Sequence, residues 1–214
     1  MLIVKIIVCL IVGYLFGNFS TAYFVGKLCG VNLKEKGSGN LGTTNVMRVL
    51  GKKWGIITFL GDFLKCALPV FLVMYVIYSG EDYSKLLGLY IGFGAVVGHC
   101  YPFWLNFKGG KGIAAMSAVM AVYDPLIIPV GVPIFALVVY GTKYVSVGSL
   151  VISIMFPLWV TMRSYFVDYN PNFVHMLIVT LCYTASAFYM HRSNIVRLKN
   201  GTENKIGQKK NKAE

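Results

Sequence analysis

Long apolar segments are the feature that most constrains how this chain can fold. They can be drawn at about 2–25, 54–78, 86–105, 113–123, 125–141, 145–162 and 173–190. Most reach the roughly 17–25 residues that a tilted helix needs to cross a bilayer. A β-barrel would instead show short segments of alternating polarity. The pattern therefore predicts an all-α fold, a polytopic membrane bundle of about seven transmembrane helices.

The fourth segment, 113–123, is too short to cross a bilayer unaided. The break after it depends on Asp124-Pro125, because proline disfavours helical backbone in the residue before it. Merging it with the next segment would give 113–141, which is too long for one crossing. We therefore expect this segment to be tilted or locally sheltered.

The distribution of charge predicts the orientation. The chain is 57% hydrophobic and carries a net charge of +12 at pH 7. If all seven segments cross, most lysines and arginines fall on one side, and only Lys5, Lys85 and Arg163 on the other. Because cytoplasmic loops carry the excess of Lys and Arg, the N-terminus is predicted outside and the C-terminus inside. In so apolar a chain, the basic charge favours contact with anionic lipid rather than nucleic acid.

We expect one transmembrane domain over residues 1–198. A polar, lysine-rich tail follows over 199–214, and we expect its end to be disordered. The sequence gives no oligomeric state.

Three polar stretches share the predicted cytoplasmic side, and the first is 36–51. Its residues 37–42 spell GxGxxG, but a dinucleotide fingerprint needs a preceding strand, and here the neighbours are membrane segments. Closely spaced glycines nevertheless let backbone N–H groups approach an anion. Arg48 adds a planar, permanently charged group suited to phosphate. The alternative is a glycine-rich turn with an interfacial arginine.

The second and third stretches also carry groups suited to anions. In the second, Lys108 and Lys111 frame glycines immediately before an apolar helix, although both could be ordinary snorkelling residues. His99, at the end of the third segment, could be a packing residue. The third stretch contains His191, Arg192, Asn194, Arg197 and Glu203. Its acid could order the basic residues, bind a substrate hydroxyl, or simply cap a loop.

Asp62 and Lys65 lie inside the second apolar segment. Their spacing of three residues places them on one face of a helix. Because charge inside a membrane is costly, we expect them to pair and to face the bundle, with a structural role favoured over a catalytic one.

Three anion-binding loops on a hydrophobic bundle indicate an enzyme acting on an amphiphile with a phosphate at one end. A transporter of phosphorylated solutes is the main alternative, since buried charges and glycine-rich loops also occur there. A purely structural membrane subunit is the second. The gathering of polar residues at one face favours the enzyme over a transporter, whose site would lie near the midplane.

Together the three stretches resemble the motifs of the bacterial acyl-phosphate:glycerol-3-phosphate acyltransferase (PlsY) family. The first motif, GSGNxGxTNxxR, is matched by Gly37, Ser38, Gly39, Asn40, Gly42, Thr44, Asn45 and Arg48. The second, roughly GHxFPxFxxFKGGKG, is matched by Gly98, His99, Pro102, Phe107, Lys108, Gly109, Gly110, Lys111 and Gly112. The third, around HRxNIxRLxxGTE, is matched by His191, Arg192, Asn194, Ile195, Arg197, Leu198, Gly201, Thr202 and Glu203. The motifs come in order, and the resemblance covers nearly the whole chain.

The resemblance implies transfer of a fatty acyl group from acyl phosphate to the sn-1 hydroxyl of glycerol 3-phosphate. The products are lysophosphatidate and phosphate, and the reaction is the first acylation of phospholipid biosynthesis. It also implies a bacterial plasma-membrane protein with a cytoplasmic active site. The implied catalytic residues are Ser38, Arg48, Asn194 and Glu203. The implied substrate-binding residues are Gly37, Gly39, Asn40, Gly42, Thr44, Asn45, His99, Lys108, Gly109, Gly110, Lys111, Gly112, His191, Arg192 and Arg197.

Acyl phosphate has a good leaving group, so the enzyme must mainly position two anions and stabilise a developing oxyanion. We expect Ser38 and nearby backbone N–H groups, with Lys108 or Lys111, to hold the acyl phosphate. Glycerol 3-phosphate would be bound by Arg48, Lys111, Asn194 and Glu203. Direct attack is favoured, with a substrate phosphate oxygen, Glu203 or His191 as the base. No cofactor or metal is expected, because no cluster has ligand spacing.

Overall fold

The computed structural model describes residues 2–206, and every regular element in that range is helical. The helices are α1 (Leu2–Gly17), α2 (Thr21–Leu28), α3 (Thr43–Leu50), α4 (Lys52–Phe71), α5 (Ser84–Cys100), α6 (Ile113–Tyr123), α7 (Ile128–Thr142), α8 (Val145–Thr161), α9 (Phe173–Met190) and α10 (Arg192–Lys199). Helices α4 and α8 each continue into a π-helical turn, over Leu72–Ile77 and Met162–Val167. The prediction of an all-α fold is confirmed.

Six helical stretches of the described chain are long and apolar enough to cross a membrane. They are Leu2–Leu28, Lys52–Ile77, Ser84–Leu105, Pro125–Thr142, Val145–Val167 and Phe173–Met190. These match six of the seven predicted segments closely. The seventh is α6, an apolar helix of 11 residues.

Helix α6 runs between opposite ends of the bundle despite its length. At its start, the N–H of Gly110 donates to the carbonyl of His99, at 3.1 Å, near the end of α5. At its end, the ring of Tyr123 lies 5.7 Å from the Lys85 ammonium, at the beginning of α5. The glycine loop and α6 together therefore span the same distance as α5. Six residues of α6 are buried, so the helix is sheltered by its neighbours rather than exposed to lipid.

Helices α1 and α5 pack backbone against backbone through glycines. A Cβ atom on Gly13 would lie 2.0 Å from the carbonyl oxygen of Ile91. A Cβ atom on Gly98 would lie 2.2 Å from that of Tyr14. In lipid, where apolar burial gives no driving force between helices, small residues allow this close van der Waals contact. The contact fixes the end of α5, from which the second motif departs.

The chain breaks helical structure between α1 and α2, and neighbouring groups satisfy the exposed backbone. The indole N–H of Trp104 donates to the carbonyl of Asn18, at 2.9 Å. The ammonium of Lys65 donates to the carbonyl of Phe19. The Asn18 side chain accepts from the N–H of Phe103, at 2.9 Å. Because irregular backbone within a membrane must be satisfied by protein groups, this break ties α2 and α4 to the second motif.

The segment after α10 folds back onto the bundle. The N–H of Ile206 donates to the carbonyl of Lys143, at 2.8 Å, and the side chain of Glu203 is buried. The first part of the expected polar tail therefore packs against the loop between α7 and α8. Residues 207–214, including the end expected to be disordered, lie outside the described residues.

Candidate active site

The first motif forms a loop that is held by Asn45. This side chain is 1% exposed, and its Oδ1 accepts from the N–H of Ser38, at 2.7 Å. Its amide nitrogen donates to the carbonyls of Leu33 and Lys36, at 3.2 and 3.1 Å. Gly37 has φ +65°, and a Cβ atom there would lie 2.2 Å from Asn45 Oδ1. The loop therefore requires glycine at this position, and the amide of Asn45 is occupied by backbone groups.

The other first-motif residues lie in the loop before α3 and along α3 itself. Gly42 precedes α3, and its carbonyl accepts the N–H groups of Asn45 and Val46, at 3.0 and 3.1 Å. Arg48 lies in the last turn of α3. Further residues of the motif that are half-buried or exposed are Ser38, Gly39, Asn40, Thr44 and Arg48. These side chains and backbone groups are the accessible part of the motif.

The second motif folds back along the end of α5. The N–H of Gly109 donates to the carbonyl of Cys100, at 3.0 Å. Gly112 immediately precedes α6 with φ +83°, and a Cβ atom there would lie 3.0 Å from the Cys100 sulfur. The loop thus needs both backbone freedom and the absence of a side chain. Of its two lysines, Lys108 is exposed and Lys111 is partly buried.

The first and second motifs are in direct contact. The ammonium of Lys34, just before the first motif, donates to the carbonyl of Leu105 in the second, at 3.3 Å. A Cβ atom on Gly110 would lie 2.8 Å from the carbonyl oxygen of Leu41 and 2.0 Å from Nε2 of His99. His99 is therefore at the junction of the two loops.

Lys111 joins the second motif to the third. Its ammonium donates to Oδ1 of Asn194. Burial lowers the pKa of Lys111 to about 8, helped by the positive charges of Arg197 and Arg48 and opposed by Glu203. Like charges raise one another's free energy, so such a cluster favours the binding of an anion. The charges of all three motifs therefore act on one lysine.

Glu203 is the centre of the third motif. Its Oε1 accepts from Asn194 and from the hydroxyl of Ser146, at 2.6 and 3.1 Å, and its Oε2 accepts from Arg197, at 2.7 Å. Burial alone would raise the pKa of Glu203, but hydrogen bonds from Asn194, Arg197 and Ser146, with the charge of Arg197, lower it overall. The carboxylate is thus ionised and orients the groups around Lys111. Ser146 lies in an apolar run of α8, and no feature of the sequence pointed to it.

The two remaining predicted site residues of the third motif, His191 and Arg192, differ in their surroundings. His191 is buried, and its Nδ1 lies 2.8 Å from the carbonyl oxygen of Ala187. Burial lowers the pKa of His191 to about 4, with Lys111 adding to the effect and the Ala187 hydrogen bond opposing it. Arg192 is exposed, donates to the carbonyl of Tyr189 and lies 4.4 Å from that ring. These contacts of Arg192 are with α9 rather than with the other motifs.

Comparison with known proteins gives one consistent result. A family model described as glycerol-3-phosphate acyltransferase matches residues 7–201. A glycerol-3-phosphate acyltransferase of Clostridioides difficile is 44% identical, covering 95% of this chain and 97% of the relative. A glycerol-3-phosphate acyltransferase of Acholeplasma laidlawii is 37% identical, covering 98% of this chain and 97% of the relative. Crystal structures of PlsY (YgiH), an integral membrane glycerol 3-phosphate acyltransferase, in glycerol 3-phosphate and lysophosphatidic acid forms match with TM-scores of 0.81 and 0.79. Both are 33% identical, and cover 94% of this chain and 96% and 95% of theirs.

Proposed function

This chain belongs to the glycerol-3-phosphate acyltransferase family, and we propose an acyl phosphate as the donor from which it transfers a fatty acyl group to glycerol 3-phosphate. Attack at the sn-1 hydroxyl gives lysophosphatidate and inorganic phosphate. The observation that carries the proposal is the cluster around Lys111, on which the positive charges of Arg197 and Arg48 and the negative charge of Glu203 act. Both substrates of this reaction bear phosphate groups, so a site with excess positive charge suits them.

The chemistry balances without a redox partner or cofactor. The hydroxyl oxygen attacks the acyl carbon, the bond from that carbon to the bridging phosphate oxygen breaks, and the hydroxyl proton ends on the released phosphate. Binding the two substrates side by side supplies most of the required organisation. Ser38 and the backbone N–H groups of the glycine loops are suited to hold the donor.

The proton is best accepted by a phosphate oxygen of the substrates. Glu203 already accepts hydrogen bonds at both oxygens, and its pKa is lowered, which makes it a weak base. His191 is also a weak base, because its pKa is lowered to about 4. We therefore assign Glu203 to positioning Asn194 and Arg197, and His191 to packing and substrate contact.

We propose that the site faces the cytoplasm at a bacterial plasma membrane. The excess of lysine and arginine on the loops that carry the three motifs supports this orientation by the positive-inside rule. Glycerol 3-phosphate then reaches the site from water and the acyl chain from the bilayer. Membership of an acyltransferase family favours acyl transfer over the transport of phosphorylated solutes.

The donor is tested with purified protein in detergent. We expect lysophosphatidate to form from glycerol 3-phosphate with acyl phosphate, but not with acyl-CoA or acylated carrier protein at equal concentration. Phosphate release should require both substrates. Product formed only with a thioester donor would refute the proposed donor while leaving acyl transfer to glycerol 3-phosphate intact. Cysteine labelling that placed residues of the three motifs outside the cell would refute the orientation.

A further inference from the structure

Asp62, Lys65 and His99 form a buried polar cluster within the membrane-spanning part of the bundle. Asp62 and Lys65 lie on α4 and His99 on α5, and their side chains are 1%, 7% and 4% exposed. The Lys65 ammonium is 2.8 Å from Asp62 Oδ1. A charged residue near the centre of a spanning helix costs about 2.5–3.5 kcal/mol on insertion scales. Charges retained at this cost point to a function, and the catalytic and binding roles assigned so far use neither Asp62 nor Lys65.

A purely structural role accounts for only part of the cluster. Lys65 donates to the Phe19 carbonyl and so stabilises the break between α1 and α2. That contact occupies one of the three N–H groups of the ammonium. The other two directions are taken by Asp62 Oδ1, at 2.8 Å, and by Nδ1 of His99, at 2.9 Å. The cluster therefore extends from the helix break to α5.

These contacts determine the tautomer of His99. An ammonium has donors and no acceptor, so Nδ1 of His99 must accept the hydrogen bond from Lys65. Asp62 Oδ1 lies 2.8 Å from the Lys65 ammonium and balances its charge. Asp62 Oδ1 is 3.6 Å from Nδ1, too far for a competing hydrogen bond. A neutral imidazole that accepts at Nδ1 carries its proton on Nε2.

The Nε2 side of the ring lies against Gly110 of the second motif. A Cβ atom on Gly110 would lie 2.0 Å from Nε2 of His99 and 2.8 Å from the carbonyl oxygen of Leu41 in the first motif. Among residues 2–206, the hydrogen bond made by the His99 ring is at Nδ1, to Lys65. Lys65 thus directs an N–H group to the place where the first and second motifs meet.

We propose that Lys65, charge-balanced by Asp62, is a positioning residue that fixes His99 as its Nε2–H tautomer and so presents an N–H donor to the acyl carbonyl oxygen of the donor substrate. The inference rests on the proposed function. His99 lies on a spanning helix, whereas Lys111, Arg48 and Arg197 lie outside the spans. The glycine loops that are suited to hold the phosphate of the donor also lie outside the spans, so the acyl carbonyl of a bound donor lies between that phosphate and the hydrocarbon. A donor aimed at this oxygen acts most strongly on the developing oxyanion.

The kinetic test compares Lys65→Met with Trp104→Phe. Lys65→Met removes the hydrogen bond to His99, and we expect kcat to fall about 100-fold or more while KM for glycerol 3-phosphate changes less than about threefold. Trp104→Phe removes the other donor to the helix break without touching His99, and should keep most of kcat. Equal losses of kcat in the two variants would show that the break alone matters and would overturn the proposal.

A second pair of variants separates the two ring nitrogens. In His99→Gln the amide nitrogen reaches roughly the position of Nε2 and keeps a donor there, whereas His99→Asn reaches only the position of Nδ1. We expect at least tenfold higher kcat for the glutamine variant. The reverse order would overturn the proposal, and this comparison remains informative if Lys65→Met does not fold.

The tautomer can be observed without any activity. The protein contains three histidines, so ¹⁵N-histidine labelling gives a simple solid-state NMR spectrum, and His99→Gln identifies the His99 signals. We expect a protonated Nε2 and an unprotonated Nδ1 in the unsubstituted protein. A protonated Nδ1 would overturn the inference. Failure of the acyl phosphate assay with this tautomer present would instead refute the proposed donor.

Discussion

Lys111 should give this enzyme a basic limb in its pH profile near pH 8. Burial, with the charges of Arg197 and Arg48, lowers the pKa of Lys111 from 10.5 to about 8. At about 1.4 kcal/mol per unit of pKa, this shift of the Lys111 pKa corresponds to about 3 kcal/mol in favour of the neutral amine. A neutral amine cannot attract a phosphate by charge. The free enzyme should therefore bind its substrates well below pH 8 and progressively less well above it.

The limb falls toward high pH in both kinetic constants, but its position differs between them. The profile of kcat/KM reports the free enzyme, so it should fall about tenfold per pH unit above about pH 8. The profile of kcat reports the enzyme with substrate bound. Because a bound phosphate favours the charged amine, its limb should lie at higher pH.

Three substitutions test the assignment to Lys111. Lys111→Arg keeps a permanent charge and should remove the limb from whatever activity remains. Glu203→Gln removes the acid that raises the pKa of Lys111, so the limb should move to lower pH. Arg197→Gln removes a cation that lowers it, so the limb should move to higher pH.

The assay is the initial rate of lysophosphatidate formation from radiolabelled glycerol 3-phosphate in detergent, at constant ionic strength. Hydrolysis of acyl phosphate in enzyme-free samples is subtracted at each pH. A flat kcat/KM from pH 7 to 10 would refute the reasoning. So would an unchanged limb in Lys111→Arg, or shifts of the same sign in Glu203→Gln and Arg197→Gln.

Ser38→Ala should lower kcat about 100-fold or more, the usual cost of losing one oxyanion or phosphate donor; retention of more than about a tenth of the activity would exclude an essential role. Gly110→Ala should inactivate the enzyme, because its Cβ would lie 2.0 Å from His99 Nε2, whereas Gly141→Ala, with no atom within 4 Å, should be active in the same assay. Ser146→Ala should raise KM for glycerol 3-phosphate through Glu203, while Ser149→Ala, which removes only a bond to the Val145 carbonyl, should not; equal KM values would contradict this role for Ser146.

The membrane segments were predictable because a long, uninterrupted apolar run is compatible with few structures besides a membrane-spanning helix. The predicted segment 173–190 coincides with α9, and the break at Asp124-Pro125 is where α6 ends. The shelter of α6 was anticipated only in general terms. Its cause is the return of the second motif along α5, which depends on backbone hydrogen bonds that no hydropathy pattern encodes.

The site was predictable at the level of motifs, but less so at the level of individual roles. Glycines and cations in a pattern indicate an anion site, and an asparagine within such a pattern is expected to bind the ligand. The side chain of Asn45 instead makes hydrogen bonds to backbone groups of the loop. Ser146 belongs to an apolar helix, and only its distance from Glu203 connects it to the site. The link from Lys65 to His99 joins two segments 34 residues apart. Such roles depend on which groups meet in space, and one sequence does not contain that information.

The docking of Glu203 has a consequence for the order in which the enzyme becomes competent during synthesis. The first two motifs are synthesised early, but Asn194 and Arg197 gain their carboxylate partner only when Glu203 has left the ribosome and reached Ser146. A nascent chain that ends before this residue holds several cations without their organising acid. We therefore expect acyl transfer to begin only after every membrane helix has been synthesised.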